Sequence, residues 1–270
     1  MTDKQLPKTF RELMTLEQVA ADFFVGQSPN YEWGRVYGGQ VVAQALRAAS
    51  ATVNPEHRVH SLHAYFVLGG TPGVPILFEV DRLREGRSFT TRRVVARQAG
   101  GAILNLDASF QRPEPDIDIQ EASLPAGVAM PEDLPEQPWS GFGNVREVPH
   151  AKGDPVGSRL WMKISQDLGD DPVLNACGLA YVSDHNPMDA IIRSHPQGFS
   201  WDQMMTASLD HAIWFHRPPQ ADQWMLQDMQ GHGLVNARGM ATGSILSRSG
   251  VHLATVAQEG LVRSPRPAAG

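Results

Sequence analysis

At 270 residues the chain has room for about two compact units, and 41% hydrophobic with 19% charged residues marks a globular protein rather than a disordered one. A formal charge of −6 argues against a general nucleic-acid binder, which carries a basic face, although a few arginines placed locally still suit a small anion. No run reaches the ~18 apolar residues of a membrane span, residues 1–11 are too polar for a signal peptide, and a lone Cys177 leaves no internal disulfide or cysteine-based zinc cluster, so a soluble cytoplasmic protein is expected.

In chain order, Leu13, Leu16, Val19, Ala20 and Phe23 predict a short helix over 12–24. Gly38-Gly39 opens a second, with Val41, Val42, Ala45, Leu46 and Ala49 on one stripe and Asn54-Pro55 as its stop. The period then turns strand-like over 60–68, 75–84, 88–98 and 102–111, with Gly86 and Gly100-Gly101 at the turns. Eight prolines between 113 and 155 exclude long regular elements, so 112–157 reads as a surface linker. Beyond it, Asp171-Pro172 starts a helix as N-cap and first helical residue. Val173, Leu174, Cys177, Ala180 and Tyr181 give it an apolar stripe, and Asn186-Pro187 ends it. Strands follow over 208–215, 224–230, 234–246 and 251–262, with the last turn at Ser249-Gly250.

The second half therefore repeats the first. Leu62-His63-Ala64-Tyr65-Phe66 echoes Asp210-His211-Ala212-Ile213-Trp214-Phe215, and the strand ending in Gln111 echoes the one carrying Gln258. The chain divides into a module over 1–111, a linker over 112–157, a module over 158–263 and a tail over 264–270. Each module is one helix with one antiparallel sheet, an α+β unit.

The segments Val36-Tyr37-Gly38-Gly39-Gln40, Gly86-Arg87-Ser88-Phe89, Ala108-Ser109-Phe110-Gln111, Asp210-His211-Ala212-Ile213-Trp214-Phe215-His216-Arg217-Pro218 and Gln258-Glu259-Gly260 stand in one order along the chain. In them the sequence, from about residue 10 to 263, resembles the acyl-CoA thioesterase II (TesB-type) family. The resemblance implies a double hotdog, two fused modules whose sheets wrap long helices. It also implies hydrolysis of acyl-CoA to fatty acid and CoA, no cofactor or metal, and a homo-oligomer, most simply a dimer. The family's water-activating Asp, hydroxyl and Gln fall on Asp184, Ser208 and Gln258. Many members carry threonine where this chain has Ser208, which keeps the hydroxyl but loses the methyl that fixes its rotamer.

These residue types suit the chemistry. A carboxylate draws a proton from water, an effect worth about 10²–10⁴-fold, while Ser and Gln orient the water's lone pair. Developing charge on the carbonyl oxygen needs donors, and the Gly38-Gly39-Gln40 amides are candidates. Asp184 sits at a helix C-terminus, where its own helix disfavours negative charge. The histidines read as packed or solvent-facing: His57, His60 and His63 alternate faces on a strand and do not converge on a metal. Cys177 reads as core. Arginines suffice for the CoA phosphates, Arg35, Arg92, Arg217 and Arg238 among them. No Gly-x-Ser-x-Gly elbow or phosphate-binding glycine loop is present.

Two other readings share the fold. Asp184-His185-Asn186-Pro187-Met188 resembles the motif of hotdog enoyl-CoA hydratases, but the position of their catalytic histidine holds Asp189. A non-catalytic acyl-CoA-binding protein has no need for the Asp184, Ser208 and Gln258 set.

Overall fold

A computed structural model describes residues 6–149, 157–193 and 204–263; the expected tail over 264–270 lies outside them. The first half contains α1 (Phe10–Leu13), β1 (Glu17–Ala20), β2 (Phe23–Gly26), α2 (Gly38–Ser50), β3 (Arg58–Phe66), β4 (Ile76–Arg84), β5 (Phe89–Gln98) and β6 (Gly101–Gln111). A 3-10 turn (Pro131–Asp133), β7 (Gly143–Glu147) and β8 (Gly157–Ile164) follow. The second half continues with α3 (Pro172–Ser183), α4 (Pro187–Arg193), β9 (Met205–Ser208), β10 (Asp210–Phe215), β11 (Met225–Val235), β12 (Arg238–Ser247) and β13 (His252–Arg263).

Among the described residues the strands form one 13-stranded sheet, in the order β1-β2-β4-β5-β6-β3-β10-β13-β12-β11-β8-β7, with β9 pairing on β13. Read outward from the central β3–β10 pair, the order is the same in both directions: β6 matches β13, β5 matches β12, β4 matches β11. That mirrored order is the duplication made visible, and it is the double hotdog architecture. The centre is antiparallel, with His211 opposite Ala64 and Ala212 opposite His63. Helix α2 packs on β3–β6, α4 packs on β8 and β11–β13, and α3 lies against α2.

One face of the sheet looks at the helices. On β6 it carries Leu104, Leu106, Ala108 and Phe110, all buried; on β13 it carries Ala254, Val256 and Gln258, also buried. Because side chains alternate along a strand, Gln111 is out of phase with this face. It is not the counterpart of Gln258, despite the sequence echo. The same parity separates the echoed histidines, for His63 is exposed and His211 is buried.

Two predicted elements differ. Residues 12–24 do not form one helix. Thr9 caps the short α1 through its side chain, and β1 and β2 form a hairpin whose turn holds Asp22 at φ 61°. Apolar residues three and four apart fit either reading; pairing of β2 with β4 decides it. The break expected near Gly231-His232-Gly233 is a bulge within the β11–β12 ladder. The turn lies at Asn236 and Ala237, both at positive φ (50° and 59°), as a tight right-twisted hairpin requires.

Candidate active site

Asp171 begins the site by starting α3: its carboxylate accepts from the Val173 and Leu174 amides. The helix then runs, buried nearly throughout, to Asp184 at its C-cap. There the Asp184 carboxylate meets the N-terminus of α2. Tyr37, the N-cap of α2, offers no side-chain cap, and the Gly39 amide beside Asp184 favours its charged form. Asp184 thus stands at the start of a helix other than its own. The approach is close. A Cβ on Gly38 would stand 2.7 Å from Asp184 Oδ2, and one on Gly39 would collide with the Tyr181 carbonyl oxygen. Tyr37 also donates its hydroxyl to that carbonyl at 2.9 Å. The glycine pair therefore lets α2 approach the end of α3 closely.

Asp184 is 5% exposed at its side chain. Burial pushes its pKa up to about 7, against the opposing pull of the Gly39 amide, the Gln258 side chain and the Arg35 guanidinium. Oδ1 is buried and accepts no hydrogen bond from any described residue. It is a free acceptor on a carboxylate poised near neutrality.

Ser208 and Gln258 meet beside it. Gln258 Nε2 donates to Ser208 Oγ at 2.7 Å. Gln258 Oε1 lies 2.6 Å from His211 Nδ1, and His211 Nε2 lies 2.9 Å from Ser183 Oγ, on the residue preceding Asp184. His211 Nδ1 is 3.9 Å from Asp184 Oδ1. Burial lowers the His211 pKa to about 4, opposed by its bond to Gln258, so the imidazole is neutral.

A single irregularity brings Ser208 and His211 together. β9 pairs with β13 through Ser208 and Gly260, while β10 pairs through Ala212 and Ala257. One extra residue stands between the two registers, at Leu209–Asp210. The Leu209 amide donates to the Glu259 carbonyl at 2.9 Å, and Phe66 bonds the Leu209 carbonyl at 3.0 Å. Residues 208 and 211 differ by an odd number and would face opposite ways on a regular strand. The bulge turns both toward Gln258. Regular alternation over 208–215 carries no sign of the bulge, so the sequence alone does not separate His211 from the packed histidines.

Aromatic rings pack around the end of α3. Trp139, from the proline-rich segment, packs in tilted contact with His185 at 4.6 Å and Tyr181 at 5.6 Å between ring centres, and edge-on with Tyr37 at 5.9 Å. The segment 112–157 thus packs an aromatic side chain against the end of α3 as well as connecting the two halves. Of the motif residues, Gln40 is structural: it accepts from the Tyr31 hydroxyl at 2.8 Å and donates to Gln44. Arg92, behind the Gly86 turn, is fully buried and bonds Thr52, the Arg84 carbonyl and Glu85. Arg217 and Arg238 are paired with Asp118 and Glu259. Among the described residues no group of three or more His, Cys, Asp or Glu could hold a metal ion, and no helix is long and apolar enough to cross a membrane.

Fold and site together describe a hotdog-fold protein with a buried carboxylate, amide and hydroxyl set at one helix end. Comparison with known proteins narrows the class. The acyl-CoA thioesterase profile matches residues 142–261, and the acyl-CoA thioesterase N-terminal domain profile matches residues 28–111. Acyl-CoA thioesterase 2 of Haemophilus influenzae is 36% identical over 93% of this chain and 96% of its own length. Acyl-coenzyme A thioesterase 8 of Rattus norvegicus is 33% identical over 93% and 88%. The crystal structure of acyl-CoA thioesterase II TesB2 from Mycobacterium marinum superposes with a TM-score of 0.84 at 37% identity, covering 95% of this chain and 99% of that one. The chain belongs to the acyl-CoA thioesterase family.

Proposed function

We propose that the protein hydrolyses acyl-CoA to a free fatty acid and CoA, with Asp184 as general base and Ser208 and Gln258 orienting the reacting groups. The observation that carries this reading is Asp184 itself, a buried carboxylate with Oδ1 unengaged and a pKa near 7. A base held near the working pH combines a useful ionised fraction with proton affinity. Water gives a proton to Asp184 as its oxygen bonds the thioester carbon. The tetrahedral intermediate then breaks its C–S bond, and Asp184 returns the proton to the departing sulfur. The carboxylate is restored and no covalent enzyme intermediate forms. Hydration of an enoyl-CoA needs a second acid–base group, and Asp189 stands where that family has histidine.

The test is thiol release from palmitoyl-CoA, run beside the absorbance of crotonyl-CoA and a direct binding measurement. Release abolished by Asp184→Asn is the expected result. Loss of crotonyl-CoA absorbance without thiol release would instead indicate hydratase chemistry, and binding without either would indicate a carrier.

A cytoplasmic homodimer is the accompanying proposal. Leu104, Leu106 and Val256 are fully buried beneath the helices and lend it no support. Tyr65 and Trp214 do: they stand exposed on the outer face of the central strands, a site where a second copy would shield apolar area. The free, buried Cys177 is compatible with a reducing compartment.

A further inference from the structure

We infer that Gln227 is a positioning residue for Asp184: its side-chain amide donates to the Ser183 carbonyl and so fixes the peptide plane that carries the Asp184 Cα. The inference rests on the hydrolytic reading above and deepens it. A helix end leaves its last carbonyls without partners from their own helix, and α3 ends inside the protein, where such groups must be satisfied. Three are matched close at hand. The Ser183 hydroxyl donates to the Ala180 carbonyl at 3.1 Å, the Tyr37 hydroxyl to the Tyr181 carbonyl at 2.9 Å, and the His185 amide to the Val182 carbonyl at 3.1 Å. An α-helical partner for the Ser183 carbonyl is excluded, because four residues on stands Pro187, which carries no N–H. Gln227 fills the place from β11, 44 residues along the chain, with its Nε2 at 2.8 Å.

The orientation of this amide follows from geometry alone. A carbonyl oxygen only accepts, so the group facing it at 2.8 Å is the NH₂. Gln227 Oε1 is then turned elsewhere, and it is buried without a hydrogen-bond partner among the described residues. The side chain is fully buried on the helix-facing side of β11, between Met225 and Met229. Packing does not account for an amide there, since a methionine would fill the same space and leave no oxygen unpaired. The residue is held on both sides, paired with Leu160 of β8 and with Ile245 of β12. The Ser183 oxygen and the Asp184 Cα belong to one planar peptide unit, so a donor anchored in the sheet also fixes where the Asp184 side chain starts. Without that donor the buried carbonyl tilts toward another partner and carries the carboxylate away from Gln258 and the Gly39 amide. A misplacement of about 1 Å can cost about 10²-fold in rate.

Gln227→Met keeps the length of the side chain and removes the donor. In thiol-release kinetics on the full-length protein it should lower kcat, per folded molecule, about 10–10²-fold and change KM less than about threefold. The groups that face Asp184 are Arg35, Tyr37, His211, Gln258 and the Gly39 amide. A carboxylate moved away from those that favour its charge should also show a pH–rate midpoint raised by about half a unit or more. A role confined to stability would lower the melting temperature and leave kcat and midpoint of the folded protein as in wild type, and that result would overturn the proposal. Met229→Leu, two residues along the same face, should leave both unchanged; losses equal to those of Gln227→Met would count against a specific role for the amide. The bond itself can be read without any variant. In ¹⁵N-glutamine-labelled protein the Gln227 NH₂, recognised by its nuclear Overhauser contact with the Asp184 Cα proton, should exchange slowly with solvent, and a fast-exchanging NH₂ would overturn the proposal even if Gln227→Met fails to fold. If Asp184→Asn keeps its turnover, the hydrolytic reading fails; if it is inactive while Gln227→Met matches wild type, only the positioning role fails.

Discussion

Asp184 faces two helix ends at once. Its own helix α3 presents carbonyl oxygens there and disfavours a negative charge by roughly 0.3–1 kcal/mol; α2 presents amides, and that of Gly39 favours the charge. Burial outweighs the favourable partners and leaves the pKa about 7. In the proposed mechanism the ionised form is the base, so kcat/KM should climb with pH to a midpoint near 7 and level off above it. His185 and His211, both lowered to about 4 by burial, do not titrate in that window, so a thiol-release profile from pH 5 to 9 reads Asp184; a flat profile would contradict the assignment. Asp184→Asn should reduce kcat on the order of 10²-fold or more. Its effect on stability has the opposite sign. A carboxyl whose folded pKa is raised adds stability at low pH that is lost as pH rises through the folded value. The asparagine variant should therefore melt above wild type at pH 8, and the gap should close toward pH 4.

At the scale of elements, the contact between α2 and α3 depends on two glycines that differ in what they touch. Gly39 abuts backbone, the Tyr181 carbonyl, whereas Gly38 abuts the Asp184 carboxylate. Backbone gives way least, so Gly39→Ala should destabilise the fold by about 1–3 kcal/mol, measurable by urea denaturation. Gly38→Ala should cost less stability but displace the carboxylate, so its loss should appear in kcat. Similar denaturation midpoints for the two variants would mean that the helices reseat freely. The bulge at Leu209–Asp210 is the second such device. The Glu259 amide donates to Asp210 Oδ1 at 2.6 Å, which ties the irregularity to β13 and keeps Ser208 and His211 on one side.

For the whole molecule, the sheet is duplicated but the chemistry is not. Where α3 ends in Asp184, α2 ends at Ala51, and Thr52 beyond it bonds the buried Arg92 at 2.7 Å. The helix-facing side of β6 is apolar throughout, with nothing in the place of Gln258. With Asp184 as the proposed base, one active site per chain is expected. Gln258→Ala should lower kcat about 10–10²-fold, while Gln111→Ala should leave it near wild type; matched losses in both would show that the first module also takes part. Light scattering at micromolar concentration should give a mass near twice that of the 29.5 kDa chain, and a stable monomer would remove the dimer. Dialysis against EDTA should leave the turnover unchanged.

Much of this was legible in the residues alone. Helix α3 announces itself through Asp171-Pro172 and the apolar stripe that follows, because capping and burial are local properties of a segment. The central strands β3–β6 are equally plain, since their period and turns lie within each hairpin. The repeated order of elements implied a duplicated fold, and the ordered motifs pointed to Asp184, Ser208 and Gln258. The remaining features are tertiary. No local signal separates a helix over 12–24 from the β1–β2 hairpin, because only the edge of β4 decides between them. Sequence echoes paired His63 with His211 and Gln111 with Gln258, but the face of a side chain depends on strand register, and one residue of shift inverts it. The bulge that turns His211 into the site, and the approach of α2 that holds an acid at the wrong end of its own helix, come from contacts between segments far apart in the chain. Such contacts exist only once the two halves have closed on each other.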